Sequence, residues 1–127
     1  MSEQGWQQKY RLWLASEDPY LRETALAVFQ HARVMDGTIK AETIRLLRTD
    51  DVDNIRRKAV EMLSDCRDPG LQPVLLEALG DHDWEVRGKA FLGLSRLDGC
   101  LELPEVRDFI EKETHPYVRW CIEDAQR

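Results

Sequence analysis

The sequence predicts an all-α fold, a right-handed α-α solenoid of about four helical hairpins. Three observations predict it. One phrase recurs, as DPYLRETA at 18–25, DWEVRGKA at 83–90 and HPYVRWCI at 115–122, with a looser copy, DNIRRKA, at 53–59. Aligned on Arg22, Arg56, Arg87 and Arg119, the copies are spaced by 34, 31 and 32 residues, a period in the range of solenoid repeats. Within each copy the apolar side chains recur with the spacing of one helix face, not with the alternation of a strand.

The first hairpin, residues 5–35, begins with a short apolar stripe of Tyr10, Trp13 and Leu14. Asp18 and Pro19 then supply an acidic N-cap and a first helical residue for a second helix, which buries Leu21, Ala25, Leu26, Val28 and Phe29. After the breaker MDGT at 35–38, the second hairpin (36–66) repeats the plan with Ile39, Ile44 and Leu47, then Ile55, Ala59, Val60, Met62 and Leu63. The third (67–98) opens on RDPG and carries Val74, Leu75 and Leu79, then Val86, Ala90, Phe91, Gly93 and Leu94 behind an Asp83 cap. LDGCLELP at 97–104 precedes the fourth (99–127), with Val106, Phe109 and Ile110, a weaker His115–Pro116 start, and Val118 and Ile122. Each first helix is expected to run about eight to twelve residues and each second helix longer. Alanine at the repeated third position after the arginine admits close helix approach, so a large residue at Ala59 or Ala90 should cost about 1–3 kcal/mol. In the last helix Glu123 and Gln126 replace the apolar residues Val60 and Leu63, which predicts a face that tolerates water at the end of the stack.

The 127 residues suffice for a single domain, 1–127, with a real core, since 43% are hydrophobic and 33% charged. No apolar run approaches a membrane span, and the polar N-terminus lacks the pattern of a secretory signal, so a soluble, cytoplasmic protein is expected. Cys66, Cys100 and Cys121 match neither a disulfide framework nor a zinc site and are read as reduced thiols. The competing reading is one reactive thiol, with Cys121 the candidate. Residues 1–64 carry ten acidic and ten basic side chains, so the net charge of −6 belongs to residues 65–127. That half repels nucleic acid and suits a basic partner, or simple solubility.

Chemistry has no obvious seat. His31, His82 and His115 lie far apart in sequence, and no nucleophile elbow, phosphate loop or Cys-x-x-Cys occurs. A non-enzyme without metal or cofactor is the expectation.

The phrase DWEVRGKAFLGL, with LLEAL just before it, resembles the HEAT repeat, in particular the short bacterial form shared with phycobilin lyases. The resemblance spans the chain, is strongest at 71–97, and is weakest in the first hairpin, where Trp6, Tyr10 and Trp13 are atypical. It implies a ladder in which Arg22, Arg56, Arg87 and Arg119 meet acids of the turns between helices. Asp18 and Asp83 match the acid position; Asp51 or Asp53 would substitute in the second copy, and the fourth would lack its pair.

The resemblance further implies that second helices line a concave side, onto which residues one, two and five after each arginine project: Glu23, Thr24 and Ala27; Arg57, Lys58 and Glu61; Gly88, Lys89 and Leu92; Trp120, Cys121 and Asp124. The centre is basic and the ends acidic or aromatic. Partner binding is assigned to Arg57, Lys58, Glu61, Lys89, Leu92, Trp120 and Asp124, with Trp84 and Tyr117 at a rim. Trp84 is equally suited to packing on a neighbouring turn, and Tyr20 and Tyr117 are better suited to it. The function expected is a protein-interaction scaffold or adaptor, monomeric, binding a protein or peptide. The alternative is an accessory factor in enzyme or cofactor maturation, which would use Cys121 beside Trp120; nucleic-acid binding is the least favoured.

Overall fold

A computed structural model describes residues 3–127. Its eight α-helices are α1 (Glu3–Leu14), α2 (Pro19–Ala32), α3 (Gly37–Thr49), α4 (Asp53–Asp65), α5 (Gln72–Ala78), α6 (Trp84–Ser95), α7 (Pro104–Lys112) and α8 (Pro116–Ala125). Among the described residues there is no strand. The helices pair as four hairpins, as the periodicity requires. The breakers RDPG and LDGCLELP each fold into a single 3-10 turn, Pro69–Leu71 and Cys100–Glu102. The length expectation fails at two first helices: α5 has only seven residues, and α3 has 13, the same as α4, because Asp36 accepts the N–H of Ile39 and starts α3 inside the predicted breaker.

Caps fix the second helices. Asp18 Oδ1 accepts the Tyr20 N–H (2.9 Å), Asp83 Oδ2 that of Val86 (3.1 Å), and His115 Nδ1 that of Tyr117 (3.1 Å). An imidazole nitrogen thus fills the role of a carboxylate at the fourth start, satisfying one of the donors a helix N-terminus exposes.

Packing divides the chain into a first unit ending at Ala59 and a second, Val60–Arg127, with the division inside α4. The first unit closes around Leu14, Ala25, Leu26, Phe29, Ile39, Leu46 and Ile55, all essentially inaccessible. Thr43 is buried among them, its hydroxyl donating to the Ile39 carbonyl (2.7 Å), which lets a polar residue join an apolar stripe. The second unit closes around Leu63, Leu75, Val86, Ala90, Phe91, Leu94, Val106, Val118 and Ile122. Burying a side chain as large as Phe91 contributes about 2–3 kcal/mol.

Two glycines set how closely the second helices meet. A Cβ on Gly88 would lie 2.6 Å from Tyr117 Cε1, so α6 and α8 meet here only because no side chain intervenes. A Cβ on Gly93 would lie 3.1 Å from the Ser64 Cα and run into its hydroxyl. Val28, which stands at Gly93's place in α2, was expected in the core and is instead only half-buried.

Candidate partner-binding surface

Every second helix is entered through one device. Six residues before the repeat arginine stands Ser16, Asp50, Asp81 or Glu113. Its side chain accepts the backbone N–H two residues on: Asp18 to Ser16 (3.1 Å), Val52 to Asp50 (3.0 Å), Asp83 to Asp81 (2.9 Å), His115 to Glu113 (3.1 Å). The arginine folds back onto the same turn. Arg22 donates to the carbonyls of Ser16 (2.9 Å) and Glu17 (3.1 Å), Arg56 to that of Asp50 (2.9 Å), and Arg87 to those of Asp81 (3.0 Å) and His82 (3.1 Å).

The ladder itself runs forward. Arg22 grips Asp50 through two nitrogens (2.7 and 3.1 Å), and Arg87 grips Glu113 (2.6 and 3.3 Å). The carboxylate that Arg22 or Arg87 engages thus belongs to the following hairpin's turn. Asp18 and Asp83, expected as those acids, act as N-caps, and the bidentate partners of Arg22 and Arg87 are Asp50 and Glu113. Asp53 does pair with Arg56, at 2.6 Å. Arg119 donates to the Ile110 carbonyl and has no carboxylate partner among the described residues. The hydrogen bond to Asp50 raises the Arg22 pKa. Burial pushes the Glu113 carboxyl up, but the Arg87 hydrogen bond and the N–H groups of His115 and Thr114 outweigh it and hold the value below the ordinary range.

The residues assigned to partner binding fare differently. Lys89 is no free cation: its Nζ lies 2.9 Å from Glu61 and 3.6 Å from Glu85. The expected basic centre is therefore balanced here by carboxylates one helix back and one turn back. Arg96 pairs with Asp65 at 3.1 Å, and the Ser64 hydroxyl donates to the Lys89 carbonyl (2.9 Å). With Leu92 and Tyr117 these residues line a shallow cavity of about 160 Å³. In the first unit Lys58 reaches Gln30 (3.4 Å), and Arg57 is half-buried.

Trp120 is 55% exposed, as its offset from the apolar stripe predicts, and Asp124 is exposed beside it. Gly88 and Cys121, placed on the same surface by the spacing, are buried, because they face each other between α6 and α8. Cys121 is inaccessible, and burial raises its pKa despite a hydrogen bond shared with Tyr117, surroundings that do not activate a thiol. The Tyr117 hydroxyl is pushed up to about 12 by burial and the same hydrogen bond. Trp84 stacks on the His115 ring (4.7 Å, 5°) and meets Tyr117 edge-on (5.0 Å), so these aromatics pack on a neighbouring turn. Tyr20, expected to pack likewise, is 73% exposed.

The turn acids Asp50 and Glu113 were missed, although aligning the copies six residues before the arginine shows three carboxylates in one column. Among the described residues no helix is long and apolar enough to cross a membrane, and no three His, Cys, Asp or Glu are grouped to hold a metal ion. No curated protein matches the chain. Residues 41–125 match the family of HEAT repeats, a span that includes Arg56, Arg87 and Arg119. The chain belongs to the HEAT-repeat family.

Proposed function

We propose that this chain is a non-catalytic cytoplasmic adaptor that holds a protein or peptide segment on the surface carried by its second helices. HEAT repeats are commonly protein-interaction scaffolds. The observation that carries the reading is the surface of the second unit, where Leu92 and Tyr117 edge a cavity between ion pairs and Trp120 stands exposed one turn further along α8. An exposed aromatic on the same unit as a charge-rimmed dent is the composition of a binding hot spot. The net charge of −6 disfavours nucleic acid as the partner.

The maturation-factor alternative, similar to phycobilin lyases, loses its support with the burial of Cys121. The test is affinity capture of the tagged protein from its native cell, comparing wild type with Leu92→Glu. A client held by wild type and by the control Leu12→Ser, but lost from folded Leu92→Glu, is the expected result. A client that ignores Leu92→Glu refutes the surface assigned.

A further inference from the structure

The second helices pack in a fixed register. In the second unit α6 meets α4 through residues two, six and nine places after its arginine: Lys89 reaches Glu61 (2.9 Å), Gly93 lies against Ser64, and Arg96 reaches Asp65 (3.1 Å). In the first unit Lys58, two places after Arg56, likewise reaches back to Gln30 of α2 (3.4 Å). The residue one place after the arginine looks the other way, Gly88 being covered by Tyr117 and Cys121 of α8. One row of each second helix therefore faces the preceding second helix. A second row, at one, five and eight places after the arginine, faces the following one.

In α2 the row for a preceding helix is Thr24, Val28 and His31. It faces no second helix among the described residues, and with Trp6 and Tyr10 it lines an open apolar groove of about 480 Å³. Met62 and Gly93, at Val28's place in α4 and α6, are buried. Tyr20, at Tyr117's place, is 73% exposed. In α8 the row for a following helix is Trp120 and Asp124, with Arg127 just beyond the helix end, and all three are exposed, which is true of these places in no other second helix. The charges match as well. Lys9, over the Tyr10 and Trp13 rings at 5.4 and 5.1 Å, and Arg33 at the end of α2 make the first side positive. Glu123 and Asp124 flank Trp120 on the other, with Arg127 3.7 Å from Asp124.

We propose that copies of this chain associate head to tail, α8 of one lying beside α2 of the next with Trp120 in the aromatic groove. Each contact repeats between molecules the register that α4 and α6 keep within one. The two surfaces differ, so the contact is heterologous and propagates into open chains or closes into a ring. This replaces the monomer expected from the sequence; it shares Trp120 with the adaptor surface, whereas Val28 lies outside it, so monomeric Val28→Lys is the variant whose client capture tells the two readings apart.

Sedimentation velocity from micromolar to millimolar protein tests it. Wild type is expected to grow in size with concentration, while Trp120→Glu and Val28→Lys are each monomeric alone. Mixed, they are expected to form a one-to-one dimer that grows no further, since one variant keeps a sound α8 and the other a sound α2. Thr24→Arg replaces Val28→Lys if circular dichroism shows that variant unfolded. Wild type that stays monomeric at millimolar concentration overturns the proposal and leaves the groove to a partner of other sequence. So does association indifferent to both variants, or a mixture that behaves as its separate components. Client capture that survives in a monomeric protein separates this failure from failure of the adaptor reading.

Discussion

Tyr20 and Tyr117 stand two residues before a repeat arginine, each directly after the proline that starts its helix. Tyr117 lies across Gly88, shares a hydrogen bond with Cys121 and meets the Trp84 ring, whereas Tyr20 is 73% exposed. The difference comes from what stands one helix back. A repeat specifies the direction in which a side chain points; the neighbouring copy decides whether anything is there to receive it.

The sharpest way to break the comparison is to exchange residues between the two registers. Gly93→Val installs in α6 the residue that α2 carries, and its Cβ must displace Ser64, so a loss of about 3 kcal/mol is expected in urea unfolding. The reciprocal Val28→Gly in the open row should cost only about 1 kcal/mol, chiefly in helix propensity. Equal losses would show that α2 and α6 do not differ as described. Next, Tyr117→Ala should cost about 2 kcal/mol, the loss of a half-buried ring, while Tyr20→Ala should stay within about 0.5 kcal/mol.

Smaller effects appear with pH. The Tyr117 pKa is raised from 10.0 to about 12, so its contribution is complete below pH 10.0 and lost as pH rises toward about 12. Tyr117→Phe should flatten the alkaline limb of the stability profile. Glu113 has the opposite sign. Its pKa is lowered, so its contribution is complete above the ordinary value of 4.5 and lost as pH falls through the lower folded value. Glu113→Gln should therefore flatten the acid limb, which a pH series of urea midpoints would show. The least of these effects is kinetic: a thiol reagent at neutral pH should modify half-buried Cys66 first and reach Cys100 and Cys121 only as the protein unfolds.

The fold was legible because its apolar columns are local and periodic. Ile55, Val86 and Val118, then Ala25, Ala59 and Ala90, then Leu26, Val60 and Phe91 are all buried, as a helix-face pattern requires. Trp120 was legible by the same geometry. What failed depended on neighbours. Cys121 and Gly88 were placed on an open surface by counting from the arginine, yet those offsets turn toward an adjacent helix. Lys89 looked like a bare cation because its partner Glu61 lies 28 residues away in sequence, beyond any local pattern. Asp50 and Glu113 were missed as the partners of Arg22 and Arg87 for a subtler reason. An acid just ahead of a helix resembles both a cap and a salt-bridge partner, and only the column six residues before the arginine separates the two roles.

That column also bears on where the chain tolerates changes of length. The turn acceptor, the N–H it binds and the repeat arginine keep one spacing in all four copies, and in the first three the arginine folds back over the turn. From each arginine to the next acceptor the distance is 28, 25 and 26 residues, so this stretch absorbs all the irregularity of the period. A residue added between Asp81 and Arg87 would shift the guanidinium off its carbonyls and off Glu113 together. Residues added near Gly37, Asp68 or Gly99, between hairpins, meet no such constraint. Those junctions are the places to splice in a tag, a fluorophore or a further hairpin.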